Sequence, residues 1–170
     1  GAEESNVAVK SAFPTGPGNL TTWTDTFEGS LSGGGFDLAD WTHNAVTGTT
    51  NWAWSTTYPH DGTHSWFAQD VSGVSDMVLT SPSFAVGSTT TMTFWHTYKF
   101  EGTTSTCYDG GTLEWSENGT TWTVVPVADF TAGAYTGTVG SSYSNPLAGK
   151  PGWCGGTVGT PTQVSVNLGG

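Results

Sequence analysis

The sequence predicts an all-β fold, an antiparallel β-sandwich, on three observations. Short runs of β-branched and aromatic residues alternate with Gly, Pro, Asn and Ser clusters every 8–12 residues or so, as is typical of sandwiches. No window keeps a 3.6-residue apolar period with helix caps, so we expect almost no helix. The chain of 170 residues contains nine Trp, eight Phe and five Tyr, which is enough aromatic surface for one core and one domain.

The domain boundary is expected near residue 20. Residues 1–20 are predicted to be an N-terminal leader or linker, and residues 21–170 the sandwich domain, because Pro14-Thr-Gly-Pro-Gly18 ends any regular element. The predicted strands are Trp23–Glu28, Trp52–Ser55, Ser65–Gln69, Asp76–Leu79, Phe84–Val86, Thr90–Phe100, Gly111–Ser116, Thr121–Pro126 and Gln163–Leu168.

The strongest local signal is a hairpin centred on Asn118-Gly119. This dipeptide, flanked by alternating residues, predicts a two-residue type I′ turn because both turn positions need a positive φ. Counting outward from this turn, we expect Trp115 to pair with Trp122 and Leu113 with Val124 on one face.

The run from Thr90 to Phe100 also alternates. Its inward face is predicted to carry Met92, Phe94, His96, Tyr98 and Phe100, and its outward face Trp95 and Lys99 with the threonines. An imidazole on such an apolar face is either a functional group or a hydrogen-bonded core histidine, and we favour the second interpretation for His96.

Composition excludes several functions. Fourteen acidic residues against three basic ones leave a net charge of −11, which disfavours binding to a phosphate backbone. No run of 18 apolar residues exists to span a membrane. We find no nucleophile elbow, phosphate-binding loop or zinc-protease motif, and the turn around Pro59 removes the metal-binding meaning of the His60–His64 spacing. The sequence therefore predicts a protein that is not an enzyme.

The charge-poor, Thr-rich and Trp-rich composition suggests a secreted, extracellular protein. No signal peptide is visible in the sequence. In an oxidising compartment Cys107 and Cys154 are expected to form a disulfide, the alternative being two buried free thiols.

Aromatic side chains are the best candidates for a binding site. Trp52, Trp54 and Tyr58 lie at even spacing, so they form either a platform for sugar rings or part of the core. Trp41, Trp66 and Trp153 are open to the same two interpretations. Nine Trp exceed what one modest core needs, and this surplus favours an aromatic binding surface.

Acidic residues in Gly-rich loops suggest structural calcium, the alternative being solvated surface charge. Calcium takes six to eight oxygen ligands and suits irregular loops. The acids concerned are Asp25, Glu28, Asp37, Asp40, Asp61, Asp76, Glu101 and Asp109.

Several segments, in this order, resemble the MAM-like jelly-roll module of secreted bacterial proteins, which is found beside immune inhibitor A-type metallopeptidases. They are Phe27-Glu-Gly29, Asp40-Trp41, Asp61-Gly-Thr-His-Ser-Trp-Phe67, Ser75-Asp-Met-Val-Leu-Thr-Ser-Pro82, Phe94-Trp-His-Thr-Tyr-Lys-Phe-Glu101, Tyr108-Asp-Gly-Gly-Thr-Leu-Glu-Trp-Ser116, Thr121-Trp122 and Asn145-Pro-Leu-Ala-Gly149 before Trp153. The resemblance covers about residues 22–168. It implies a jelly-roll sandwich, often with structural calcium, that acts as a non-catalytic module. By position in these segments it implies Glu28, Asp76, Glu101 and Asp109 as metal or loop-organising residues.

The resemblance also implies closing strands beyond Leu168, whereas the sequence ends at Gly170. A sandwich lacking its last strands would expose unpaired edges. Three explanations stay open: a cut fragment, a trimmed chain, or a strand supplied by another subunit. For the third, residues 6–13 are a candidate donor strand.

The leading functional expectation is an extracellular binding or adhesion module whose partner is a glycan or other cell-surface polymer. The alternative is a structural subunit that self-associates into a filament or layer by strand exchange. A third interpretation is a domain cut from a secreted peptidase or glycosidase.

Overall fold

The computed structural model describes residues 5–12, 24–29, 40–103 and 106–169, and its regular elements are almost all strands. In chain order they are β1 (Ser5–Ala12), β2 (Thr42–Thr47), β3 (Ala53–Ser55), β4 (Ser65–Phe67), β5 (Ser75–Thr80), β6 (Thr91–His96), β7 (Gly111–Ser116), β8 (Thr123–Val124), β9 (Phe130–Ala132), β10 (Gly137–Thr138), β11 (Pro151–Gly152) and β12 (Thr162–Asn167). Helical backbone occurs as 3₁₀ turns such as Val127–Asp129 and Ser142–Ser144. Across these ranges, no helix is long and apolar enough to cross a membrane. The all-β prediction is confirmed.

Two sheets share one core. The larger has the order β2-β5-β1-β7-β8 and the smaller the order β6-β12-β9. Leu113 of the larger sheet and Val164 and Val166 of the smaller one are 0–1% exposed and lie in the same cluster with Val125 and Trp153. Because both sheets bury residues in this cluster, the architecture is a sandwich. Its jelly-roll connectivity stays a prediction.

β1 departs from two expectations. It lies inside the segment expected to be a leader or linker, yet it is the central strand of the larger sheet. It also runs parallel to both its neighbours, β5 and β7, whereas all other strand pairs are antiparallel in the part of the chain that the structure describes. Val7 and Val9 at alternate positions suit a strand. Their register partners in β5 are Met77 and Leu79, at most 4% exposed.

Seven of the nine predicted strands are present, Gly111–Ser116 with the predicted ends and the other six with shifted ends, and two are wrong. In the first, Thr24–Glu28 is not a strand, because Phe27 has φ +61° and its N–H donates to Asp25 Oδ1 at 2.7 Å; Trp23 lies outside the described residues. The second, Phe84–Val86, runs as irregular chain into the turn closed by Thr90 N–H and Gly87 O. Strands β1, β2, β9, β10 and β11 were not predicted.

The predicted hairpin is present, but its turn type and register are wrong. Trp115 pairs with Thr123 rather than Trp122, and Leu113 O accepts the N–H of Val125, not Val124. Asn118 lacks a positive φ, so the turn is not type I′. Instead Asn118 Oδ1 accepts three hydrogen bonds from Thr120 and Thr121 at 2.8–2.9 Å, which stabilise a longer loop. The shift by one residue places Val125, 2% exposed, in the core.

The predicted faces of the Thr90–Phe100 run are confirmed over the strand that forms. Met92, Phe94 and His96 are partly buried, while Thr91, Thr93 and Trp95 are exposed. The strand ends at His96 rather than at Phe100.

His96 is a core histidine. Its ring lies 4.6 Å from Trp153 and 4.8 Å from Tyr98. Burial lowers its pKa from 6.5 to about 4. Its Nε2 is buried with no hydrogen-bond partner among the described residues, so the expected hydrogen bond is not found at this atom.

The predicted disulfide is confirmed. Cys107 and Cys154 are bonded, with their Cα atoms 5.5 Å apart. Gly137 lies directly against the bond, since a Cβ there would be 2.6 Å from Cys107 Sγ and 2.8 Å from Cys154 Sγ. The bond connects the loop before β7 to the segment after β11.

Candidate functional site

The candidate site is built on the β3–β4 hairpin and its connection, residues 56–64, here called the hairpin loop. Trp54 pairs with Trp66 at the centre of the hairpin. Two serines at its base hold the loop: Ser55 Oγ accepts the N–H of Thr57 at 3.1 Å, and Ser65 Oγ donates to Thr57 O at 2.6 Å. These contacts fix the start of the loop to both strands of the hairpin.

Glu28 fastens the far end of the loop. Its Oε1 accepts the backbone N–H groups of Thr63 and His64, each at 2.8 Å, and its Oε2 accepts Thr63 Oγ1 at 2.6 Å. Oε2 also lies 3.2 Å from His64 Nδ1. We call this arrangement of Glu28, Thr63 and His64 the Glu28 clasp.

The clasp keeps Glu28 ionised. Hydrogen bonds from the side chain and backbone of Thr63, and then from His64, lower the pKa of Glu28 from 4.5 to about 2. A Cβ at Gly62, which has φ +67°, would lie 2.5 Å from Glu28 Oε1, so glycine is needed there for both space and conformation. A carboxylate held in this state is a poor general acid at neutral pH.

Trp54 lies beside the clasp. Its ring stacks on His64 at 3.9 Å between centroids and 11° between planes, and its Nε1 donates to Phe27 O at 2.6 Å. The side chain nevertheless remains 40% exposed. The indole is thus held in one orientation while much of its surface faces water.

Trp95 repeats this arrangement on the neighbouring sheet. It projects from the outward face of β6, and His60 of the hairpin loop stacks on it at 4.1 Å and 13°. His60 Nδ1 in turn lies 2.6 Å from Asp61 Oδ2. Trp95 is 46% exposed, and Tyr58 of the same loop is 48% exposed. One loop therefore connects three exposed aromatic side chains.

The predicted platform of Trp52, Trp54 and Tyr58 is only partly formed. Trp52 is half-buried, and its Nε1 donates to Met77 O at 3.3 Å. Trp54 and Tyr58 are exposed, and so is Trp95, on which His60 of the hairpin loop stacks. The alternation of Trp95 with threonines along its strand was the signal for an outward ring, but the sequence did not connect it to the hairpin loop.

The other Trp residues considered for this surface divide between core and partial burial. Trp153 is 3% exposed and lies in the core. Trp41 is half-buried with its Nε1 bonded to Asp25 Oδ2 at 2.7 Å, and Trp66 is half-buried 5.3 Å from His43.

The four acids suggested as metal ligands have different surroundings. The Glu28 oxygens accept protein hydrogen bonds, and Asp76 lies in β5. Glu101 and Asp109 are brought together, because Asp109 Oδ2 accepts the Glu101 N–H at 3.3 Å. Among the described residues, no group of three His, Cys, Asp or Glu side chains is placed to hold a metal ion.

A second candidate surface lies at the start of β12. This open cleft of about 360 Å³ is lined by Tyr98, Gly156, Thr157, Thr160 and Thr162. Its lining includes three threonines and one tyrosine but no charged side chain. It offers hydrogen bonds but less aromatic surface than the hairpin loop.

Comparison of the chain with protein-family models, with curated proteins and with solved structures finds no match in any of the three.

Proposed function

We propose that this protein is a non-catalytic extracellular module that binds carbohydrate on the aromatic surface around the hairpin loop. The observation that carries the proposal is the set of three exposed rings, Trp54, Tyr58 and Trp95, connected by one loop and 40–48% accessible to water. Flat aromatic faces suit the apolar C–H face of a sugar ring.

Two of the three rings, those of Trp54 and Trp95, are held in place before any ligand arrives. Trp54 is fixed by His64 and by its hydrogen bond to Phe27 O, and Trp95 is covered on one side by His60. Preorganised side chains lose little conformational entropy on binding, which favours affinity.

The chemistry of the surroundings favours a neutral glycan. His60, Asp61 and Thr63 belong to the hairpin loop and carry polar groups that can donate to or accept from hydroxyl groups. The net charge of −11 disfavours a polyanionic polysaccharide at low salt.

A glycan array followed by titration calorimetry tests this proposal. We expect binding to a neutral oligosaccharide that weakens at least tenfold in Trp54→Ala and in Trp95→Ala. Tyr143→Ala is the matched control, because Tyr143 is 63% exposed on a different loop and its removal is expected to leave affinity unchanged. Absence of binding to every neutral glycan, or equal losses in all three variants, would contradict the proposal.

The extracellular location is supported by the Cys107–Cys154 bond, since such bonds persist in oxidising compartments. Mass spectrometry of the protein from its native source should show a chain lighter by two hydrogen atoms than its reduced form. A fully reduced native chain would argue for a reducing compartment instead.

Structural calcium and membership of the MAM-like group stay predictions. Carbonyl oxygens and water would have to complete any calcium site at Glu101 and Asp109. Thermal unfolding with calcium and with a chelator tests the first point. An unchanged midpoint would remove calcium from the proposal.

A further inference from the structure

The N-terminal strand β1 occupies an unusual place in the larger sheet. It lies between β5 and β7 and pairs with each over six residues, Ser5–Lys10 with β5 and Val7–Ala12 with β7. Strands β5 and β7 do not pair with each other in this sheet, so β1 alone connects its two halves, β2-β5 and β7-β8. We call the space between β5 and β7 the β1 slot.

An empty β1 slot would be costly. Its two sides would each present a row of unpaired backbone N–H and C=O groups, which is a template for strand addition. With β1 in place the residues along these sides are buried: Met77 and Leu79 on β5 and Leu113 on β7 are at most 4% exposed. The slot therefore requires a strand, whichever chain provides it.

The segment between β1 and the next described residue determines how far β1 can extend from its own domain. Residues 13–23 include Pro14, Gly16, Pro17 and Gly18. The chain from Ala12 to Thr24 spans at most about 40 Å when extended. A 170-residue domain is about 40 Å across by the usual scaling of size with length. The connecting segment is therefore long enough for β1 to enter the slot of a neighbouring copy.

We propose that β1 exchanges between copies of this protein, so that Ser5–Ala12 of one chain fills the β1 slot of a second. An exchanged strand makes the same backbone pairs in the neighbour as in its own chain, so exchange between identical chains loses no contact. Exchange in one direction leaves a free slot at one end and a free strand at the other, and this arrangement grows into a polymer. The inference goes beyond glycan binding and does not depend on it.

Cysteine trapping across the β1 slot tests the exchange directly. Lys10 of β1 pairs in register with Thr80 of β5, and Thr80 is partly accessible. A Lys10→Cys chain and a Thr80→Cys chain are unfolded together at pH 4 with the Cys107–Cys154 bond intact and refolded as a concentrated mixture. The pH is then raised to 8 in the presence of oxidant, because disulfide chemistry proceeds through the thiolate form of cysteine.

We expect a covalent dimer of one Lys10→Cys and one Thr80→Cys chain on a non-reducing gel. The control replaces Thr80→Cys by Thr91→Cys, an exposed threonine on β6 of the other sheet, and should give far less of this dimer. The double variant Lys10→Cys/Thr80→Cys, kept dilute, should close within one chain.

Three outcomes would overturn the proposal. Closure of the dilute double variant without any dimer from the mixed single variants means that β1 stays in its own chain. Equal dimer yields with Thr80→Cys and Thr91→Cys, or no closure in the double variant, mean that β1 does not recognise the slot. Light scattering on the unmodified protein adds the size distribution of the particles that form.

Discussion

Two regions of this protein place a histidine against a tryptophan in opposite surroundings. In the core, His96 and Trp153 meet at 4.6 Å with their rings at 76°. At the hairpin loop, His64 stacks on Trp54 at 3.9 Å with the rings at only 11°. The same pair of residue types thus makes an edge contact inside and a face contact outside.

Water access separates the two regions. Trp153 is 3% exposed, with its Nε1 bonded to Gly133 O at 2.8 Å, and burial lowers the pKa of His96 to about 4. Trp54 is 40% exposed beside a hydrogen-bonded, ionised Glu28. The core pair therefore contributes stability, whereas the loop pair leaves aromatic surface available for a ligand.

The largest expected effect comes from removing the core indole. Trp153→Ala should lower the free energy of unfolding by about 3–5 kcal/mol, because it leaves a cavity in the core. Trp153→Phe, which keeps a ring but loses the hydrogen bond to Gly133 O, should cost less. Urea unfolding measures both. A cost for Trp54→Ala equal to that of Trp153→Ala would break the distinction between the two regions.

The second largest effect on stability is expected when acid protonates His96 of the core pair. The folded pKa of His96 lies below its unfolded value of 6.5, so its contribution is fully present above pH 6.5 and is lost as the pH falls through 4. The loss should reach about 3 kcal/mol. His96→Leu cannot take up the proton, so its unfolding free energy should fall less between pH 7 and 4. The control is His43→Leu at an exposed position of β2, whose unfolding free energy should fall with pH as much as that of the unmodified protein. If the unfolding free energy of His96→Leu fell by the same amount, His96 would not be the group responsible.

A smaller effect is expected at the Glu28 clasp. The lowered pKa of Glu28 means that its contribution is present above about pH 4.5 and disappears as the pH falls through 2. Gly62→Ala places a methyl group against Glu28 Oε1 and should raise this pKa toward 4.5. A carboxyl NMR titration measures the shift.

Gly119→Ala is the matched control for the clasp. Gly119 has φ +71°, but a Cβ added there would meet no atom within 4 Å, so the variant carries the same backbone cost of about 1–2 kcal/mol without the contact. It should leave the pKa of Glu28 at about 2. Equal pKa shifts in both variants would show that the clasp does not depend on the Gly62 contact.

The smallest effect on stability is expected at Trp95. Trp95→Ala should change the free energy of unfolding by about 1 kcal/mol or less, the range of strand propensities, because the ring is 46% exposed. Thermal unfolding of this variant, measured together with the glycan titration, distinguishes a loss of binding from a loss of stability. A cost well above that range, comparable to the cost of Trp153→Ala, would place Trp95 with the core instead.

Local patterns predicted the parts of the fold whose causes are local. The alternation in β6 identified Met92 and Phe94 as inward and Trp95 as outward, because neighbouring side chains of a strand point to opposite faces. The same logic failed at the 117–122 loop. There Asn118 Oδ1 stabilises a longer turn than its dipeptide suggests, and the register moves by one residue.

The candidate site shows the same division. Even spacing suggested Trp52, Trp54 and Tyr58 as one surface, but half-burial removes Trp52. Glu28 was singled out as an acid in a Gly-rich loop, and its partners Thr63 and His64 lie 35 and 36 residues away. Spacing along the chain carries no information about such a contact.

Composition, alternation and turn residues were sufficient for the all-β class, most strand positions and the single disulfide that two cysteines allow, because these depend on short stretches of chain. The position of β1 in the sheet, the hairpin register and the choice of exposed indoles emerged only from the folded chain. Each depends on contacts between distant residues, such as Val9 with Leu79 and His60 with Trp95, whose energies no short segment contains.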